Sequence, residues 1–230
     1  WLGLGMRDRR NLLLCGTAGG LGAIFLAPLG GALTAVEVLY KEDIESEALI
    51  PCIIASVTSY VTYGSIFGFT HIFSMPEGTH FVAGELLIFM LLGVVCSGVG
   101  YLYVKIFYGI RDRIFRPLKC PFWLKPAMGG LAVGIMGFFF VEILGGGLGY
   151  VQAVISQSWD TMNWRAVGLF LALALLKIVA TGFTVSSGGS GGVFGPSLFI
   201  GAMLGAAVGG AAHLIFPEAI TSPPGAFVIV

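Results

Sequence analysis

The chain has 230 residues, of which 57% are hydrophobic and only 10% are charged. This composition excludes an ordinary water-soluble domain, in which about 25% of residues are charged, and predicts an integral membrane protein with several crossings. Twelve basic and twelve acidic residues give a net charge of zero, so the chain lacks the positive excess that nucleic-acid binding requires.

Apolar runs bounded by charged residues or by Gly and Pro define the first predicted helices. Two short helices, at 11–25 and 29–40, are separated by the Ala27-Pro28 break and are too short for upright crossings. Residues 49–69 form a run that is long enough to cross the bilayer. The acidic segment 41–47 before that run is predicted to be a solvated loop.

A second full-length crossing is predicted at 84–108, and a basic loop is predicted after it at 111–125. That segment has three Arg and two Lys against one Asp, so the positive-inside rule places it in the cytoplasm. Two crossings separate it from the 41–47 loop, which is therefore also cytoplasmic. The loop with His71 and His80 contains no Lys or Arg and is predicted to lie outside. We interpret the basic residues as a topology signal and as contacts with lipid headgroups.

The remaining predicted helices are interrupted. The apolar run at 126–144 ends at the glycine-rich turn 145–150, and the run at 151–159 is short enough to be a re-entrant element. Long helices at 164–185 and 193–216 follow. Irregular backbone persists within a membrane only against protein or a watery cavity, so this pattern favours a channel or transporter over a simple anchor.

The helix at 193–216 follows directly on the loop 186–192, in which four of seven residues are glycine. The first N–H groups of a helix have no partner inside the helix and carry a fractional positive charge. Glycine leaves that end bare, so an anion can approach the backbone. Within a membrane, such a terminus is an anion site that needs no lysine or arginine.

Three segments resemble motifs of the CLC family of chloride channels and chloride/proton antiporters. Gly192-Val193-Phe194-Gly195-Pro196 is similar to the family's G-x-F-x-P motif. Residues 19–31, followed by Glu37, are similar to the segment A-A-x-F-x-A-P-L-x-G…E. The turn 145–150 resembles the glycine-rich turn before a short helix in the family's second half. The three matches keep the family's order over essentially the whole chain.

This resemblance implies an all-α polytopic membrane fold, an inverted repeat with broken and re-entrant helices, that assembles as a homodimer with one anion path per subunit. Residues 1–69 correspond to the end of the first membrane repeat, and residues 84–230 to most of the second. In the family the N–H groups of the x-F pair bind the central chloride, which implies Val193 and Phe194 as ligands and Gly192, Gly195 and Pro196 as their frame. The gating glutamate and the other filter residues are expected outside this chain.

The residue after Glu37 bears on whether the protein is a channel or an exchanger. In many exchangers of the family, an acid that receives protons from the cytoplasm follows the glutamate that matches Glu37. This chain has Val38 there, as channel members do, and valine cannot carry a proton. The resemblance therefore favours a chloride channel, and a chloride/proton antiporter in which Glu37 or water carries protons is the alternative.

Lys177 lies within the predicted helix 164–185, where a charge costs roughly 3 kcal/mol at the bilayer centre. We expect its side chain to snorkel or to face a wet vestibule, with direct anion contact as an alternative. Glu142, like Glu37, is a lone acid on an apolar helix.

A more distant alternative is an intramembrane serine protease that uses Ser190, since residues 188–192 match the G-x-S-x-G pattern. A serine nucleophile needs a base within hydrogen-bond reach, and His71, His80 and His213 are not placed for that role. The histidines are also not spaced as metal ligands. We therefore expect no enzyme activity, no metal and no organic cofactor, with chloride as the bound partner.

The homodimer contact is expected on the helices at 29–40 and 49–69. Their small residues permit close approach of helices: Gly30, Gly31, Ala32, Ala35, Ala55 and Ser56. The competing interpretation is that this face meets lipid.

Overall fold

Helices account for all the regular secondary structure in the described part of the computed structural model, which confirms the all-α expectation. The chain forms two units, Trp1–Ser74 and Met75–Val230, and each is considered by itself. The assignment of residues 1–69 and 84–230 to two membrane repeats stays a prediction. The structure describes residues 3, 5–38, 46–69, 72–75 and 82–229.

Three helices that pack against one another make up the first unit: α1 (Met6–Ile24), α2 (Pro28–Val38) and α3 (Ser46–Phe67). The backbones of α1 and α2 approach closely, because a Cβ placed on Gly31 would lie 2.6 Å from the amide nitrogen of Gly22. Any side chain at Gly31 would therefore push the two helices apart. Leu14, Ala18 and Val36 form part of the buried core between the helices.

Most of the small residues expected at the dimer contact have another role in the structure. Gly31, Ala32, Ala35 and Ser56 are buried within the first unit, where small side chains let α2 and α3 approach α1. The expectation that these four residues form the dimer contact is therefore wrong. The dimer itself stays a prediction. The exposed faces of α2 and α3 instead carry large apolar side chains, namely Leu29, Leu33, Ile50, Ile54 and Val57.

Two central helices, α7 and α8, organise the second unit. The helices α4 and α5 pack on α7, while α4, α6 and α9 pack on α8. The α5 contact is close, because a Cβ on Gly129 would lie 2.7 Å from the carbonyl oxygen of Phe183. The helices are α4 (Leu86–Ile110), α5 (Leu124–Phe139), α6 (Leu148–Ile155), α7 (Trp164–Ser186), α8 (Phe194–Ile215) and α9 (Pro224–Ile229), with 3-10 turns at Ala83–Glu85, Val141–Ile143 and Trp159–Thr161.

Four helices in the described ranges are long and apolar enough to cross a membrane: Glu47–Phe67, Leu86–Phe115, Trp164–Ser186 and Phe194–Ile215. The four predicted long spans fall on these helices. The short element expected at 151–159 is α6, whose eight residues reach only about 12 Å.

One expectation about a loop is wrong. Residues 111–125 were expected to be non-helical, but Arg111–Phe115 continues α4 as a π-helix. The continuation is stabilised by Phe115, which is buried and lies edge-on to Phe183 of α7, with ring centroids 6.1 Å apart. Residues 41–45, His71 and His80 lie outside the described residues.

Candidate anion site

The end of α7 is shaped by two glycines that no other residue could replace without strain. Gly188 has a φ of +87°, in the left-handed region that follows many helix C-termini, and its N–H donates to the carbonyl of Val185 at 3.1 Å. The chain then runs close along α7, because a Cβ on Gly189 would lie 2.8 Å from the carbonyl oxygen of Thr184. This packing fixes the direction in which the loop leads to α8.

The N-terminal end of α8 has no hydrogen bond from a capping side chain. Val193 is the N-cap residue, and its carbonyl accepts the first intrahelical bond, from the Ser197 N–H at 3.0 Å. The amides of Val193, Phe194 and Gly195 precede that bond. Valine has no side-chain acceptor, and the Ser197 hydroxyl donates back to the Val193 carbonyl at 2.8 Å. The first turn contains no acidic residue, so the partial positive charge of the helix end is not neutralised there.

Gly192 and Gly195 differ from the packed glycines of the preceding turn. Apart from the chain neighbours and the backbone of the same helix, a Cβ on either would have no described atom within 4 Å, so packing against other parts of this unit does not require glycine at these positions. Val193 and Phe194 are 48% and 41% exposed. The space beside these two glycines and the partial exposure of Val193 and Phe194 are compatible with an anion approaching this end of the helix, and the anion site stays a prediction.

A cavity of 360 Å³ adjoins the start of α8. Gly192, Gly195 and Pro196 line one side, and Gly145 and Gly146 line another. Two of the three segments that carried the resemblance are thus brought together by the fold, although they are separated by more than 40 residues in the sequence. The third segment lies in the first unit.

Lys177 does not snorkel. Its side chain is buried, and Nζ donates to the carbonyls of Ile143 and Gly145, each at 2.7 Å. Nζ also lies 5.0 Å from the centroid of the Phe199 ring. These partners replace water around the ammonium group and reduce the cost of burying it. Lys177 therefore fastens the glycine-rich turn to α7 and places a positive charge beside the cavity.

Ser190 has no base within reach among the described histidines. It is exposed in the loop before α8, whereas His213 lies near the other end of that helix, about 30 Å away along the axis. There the His213 ring stacks on Trp159, with centroids 4.3 Å apart and planes inclined by 9°. The described part of the chain also contains no group of three side chains that could hold a metal ion.

Glu37 and Val38 are the last two residues of α2, in the first unit. Glu37 is exposed, and the side chain of Val38 is outside the described part. The proton-path argument therefore still depends on residue type alone.

Sequence reasoning missed Glu85, which is fully buried. Its Oε1 accepts the N–H groups of Thr221 and Ser222 at 2.9 and 3.0 Å, in the turn just before α9. The carboxylate thus ties the start of α4 to the turn that positions α9 against α8. The available signal was an acid directly before a 25-residue apolar helix, a place where a charge needs a polar partner.

Comparisons with known proteins agree on one family. The family model described as "Voltage gated chloride channel" matches residues 1–230. An uncharacterized protein of Methanocaldococcus jannaschii is 36% identical over 203 residues, which cover 88% of this chain and 49% of that protein. The H(+)/Cl(-) exchange transporter ClcA of Cronobacter sakazakii is 30% identical over 215 residues, which cover 91% of this chain and 44% of that protein.

The fold is also found in a solved structure. The X-ray crystal structure of a slow cyanobacterial Cl-/H+ antiporter superimposes with a TM-score of 0.74 and 25% sequence identity, covering 97% of this chain and 51% of that one. The chain therefore spans about half the length of the relatives that it matches.

Proposed function

Since this chain belongs to the voltage-gated chloride channel family, we propose that the full-length protein carries chloride across a membrane and binds one anion at the start of α8. The observation that carries the proposal is the arrangement of Gly192, Val193 and Phe194. These residues lie at a helix N-terminus with no acidic residue in its first turn, and Gly192 lines a cavity of 360 Å³. Val193 and Phe194 supply the amides, and the small frame residues let the anion reach them.

Backbone amides suit an ion that must leave as readily as it enters. A helix end presents about half an elementary charge, worth up to about 2 kcal/mol to an anion in a partly buried site. Conduction requires binding that is favourable but weak enough for release. Lys177, the full charge beside the cavity, has its ammonium directed to two carbonyls, which leaves the anion to the amides.

We further propose that transport is uncoupled from protons, because Val38 follows Glu37. The alternative is chloride/proton exchange, which the named Cronobacter relative and the cyanobacterial antiporter favour. In this proposal the protein is a homodimer, and the segments 41–47 and 111–125 face the cytoplasm.

Liposomes that contain the full-length protein test this function. A chloride gradient should drive anion efflux in the presence of a potassium ionophore, and internal pH should stay constant while chloride moves. Absence of chloride efflux contradicts the proposed function. Uphill proton movement at a fixed ratio to chloride contradicts the channel and supports the exchanger.

A further inference from the structure

A second cavity in the same unit has a different character. It has a volume of 490 Å³ and is bounded by the π-helix after α4, by the start of α5 and by the end of α7. We call it the basic pocket, and it shares no lining residue with the cavity beside α8. Its charged lining residues are Arg111, Asp112, Arg116 and Lys125.

The π-helix brings two guanidinium groups to one side of the chain. The N–H of Arg116 donates to the carbonyl of Arg111 at 2.8 Å, one π-helical turn apart, and both side chains line the basic pocket. Arg111 also lies over the Tyr108 ring, with its Cζ 4.4 Å from the centroid, which holds that guanidinium in place. The π-helix, which replaces the predicted loop, therefore places both arginines in the pocket lining.

The pocket carries an excess of positive charge. Three cations and one carboxylate line it. Asp112 Oδ1 lies 3.0 Å from Arg111 Nε and 3.9 Å from Arg116 Nη1. A guanidinium has five N–H donors, and this ion pair occupies one donor of Arg111. Lys125 Nζ donates to the carbonyl of Phe115 at 2.8 Å, which places its charge at the inner wall. The lining is thus suited to an anion with several acceptor oxygens.

Neighbouring aromatic residues indicate where that anion comes from. Phe122 lines the pocket and Trp123 follows it, and their side chains are 78% and 72% exposed. Exposed aromatic residues beside the end of an apolar helix are typical of the membrane–water interface. The pocket therefore lies where a membrane presents the phosphates of its lipids, and basic pockets between helices at this level bind such headgroups.

We propose that the basic pocket binds the phosphate of an anionic phospholipid. Arg111 and Arg116 hold the phosphate oxygens, since guanidinium groups match phosphate geometry. Lys125 adds a third positive charge, and Phe122 packs against the glycerol or acyl part. This site does not depend on chloride transport.

A matched pair of double variants isolates the pocket from the overall charge of the segment. Arg111→Gln with Arg116→Gln removes two cations that line the pocket, whereas Arg113→Gln with Lys119→Gln removes two that do not. Both variants lose the same charge. Native mass spectrometry of the full-length protein, titrated with phosphatidylglycerol or with phosphatidylcholine, measures the lipid bound.

The first variant should bind phosphatidylglycerol about tenfold to thirtyfold more weakly, since each basic residue near an anionic lipid contributes about fivefold. The second should stay within about twofold of the unmodified protein, because its charges lie outside the pocket. An equal loss in both variants overturns the proposal. Binding of phosphatidylcholine as tight as that of phosphatidylglycerol also overturns it.

Asp112→Asn supplies a change of opposite sign that does not depend on the folding of the double variants. Removing the carboxylate should tighten phosphatidylglycerol binding about threefold, because the phosphate no longer competes with it for the guanidinium groups. Unchanged or weaker binding counts against the proposal. Inorganic phosphate at the lipid concentration should leave the lipid bound. Displacement by it would identify a site for soluble phosphate and overturn the lipid assignment.

Discussion

Gly192→Val should abolish most chloride binding while leaving the fold intact. Apart from its two chain neighbours, a Cβ at Gly192 has no described atom within 4 Å, and the backbone there is outside the left-handed region. A side chain is therefore tolerated, with an expected change in unfolding free energy below about 1 kcal/mol. The branched side chain would stand beside the amides of Val193 and Phe194. Losing one hydrogen bond to a charged partner costs about 1.5–3 kcal/mol, which is about 10- to 150-fold in chloride affinity.

Gly189→Val is the matched control in the same loop. A Cβ there would lie 2.8 Å from the carbonyl oxygen of Thr184, so this variant should lose stability first. Thermal unfolding and chloride efflux from liposomes, both on the full-length protein, separate the two effects. The reasoning is refuted if Gly192→Val unfolds like Gly189→Val, or if it folds normally and conducts at the unmodified rate.

Substitutions at three further positions test the packing of the second unit and the role of Val193. Lys177→Met should lower the unfolding free energy by about 1–3 kcal/mol, because two carbonyls before α6 lose their hydrogen-bond donor. Unchanged thermal unfolding would show that these hydrogen bonds do not stabilise the fold. Glu85→Ala should lower the unfolding free energy by about 1–3 kcal/mol in denaturant unfolding. Glu85→Gln keeps an acceptor for the two amides before α9 and should therefore lose less stability. Equal losses of unfolding free energy in the two variants would exclude the hydrogen bonds as the cause. Val193→Ala keeps the backbone N–H, so the bromide-to-chloride flux ratio should stay within about twofold; a larger change would mean that the side chain selects the anion.

The long helices could be predicted because local signals determine their ends. The helix expected at 164–185 is observed at Trp164–Ser186, since the Asn163 side chain accepts the Ala166 N–H at 2.9 Å and Gly188 supplies the left-handed turn. These signals lie within four residues of each boundary. The glycine-rich start of α8 was predicted for the same reason.

Features that depend on distant partners could not be predicted. The carbonyl acceptors of Lys177 lie more than 30 residues away in the sequence, so only the fold shows that its ammonium is satisfied internally. The charges at 111–116 predicted a loop, but residues 111–115 are helical because Phe115 packs on the distant Phe183. The small residues of α2 and α3 suit contact with α1 or with another subunit equally well, and their pattern does not distinguish the two.

The position of the bound anion tests the central claim most directly. Crystals of the full-length protein soaked in bromide should show an anomalous peak within hydrogen-bonding distance of the Val193 and Phe194 amide nitrogens. A Gly192→Val crystal should lack that peak under the same soak. No peak at those amides in the unmodified protein, or a single peak at Lys177 instead, would contradict the assignment of the start of α8 as the chloride site.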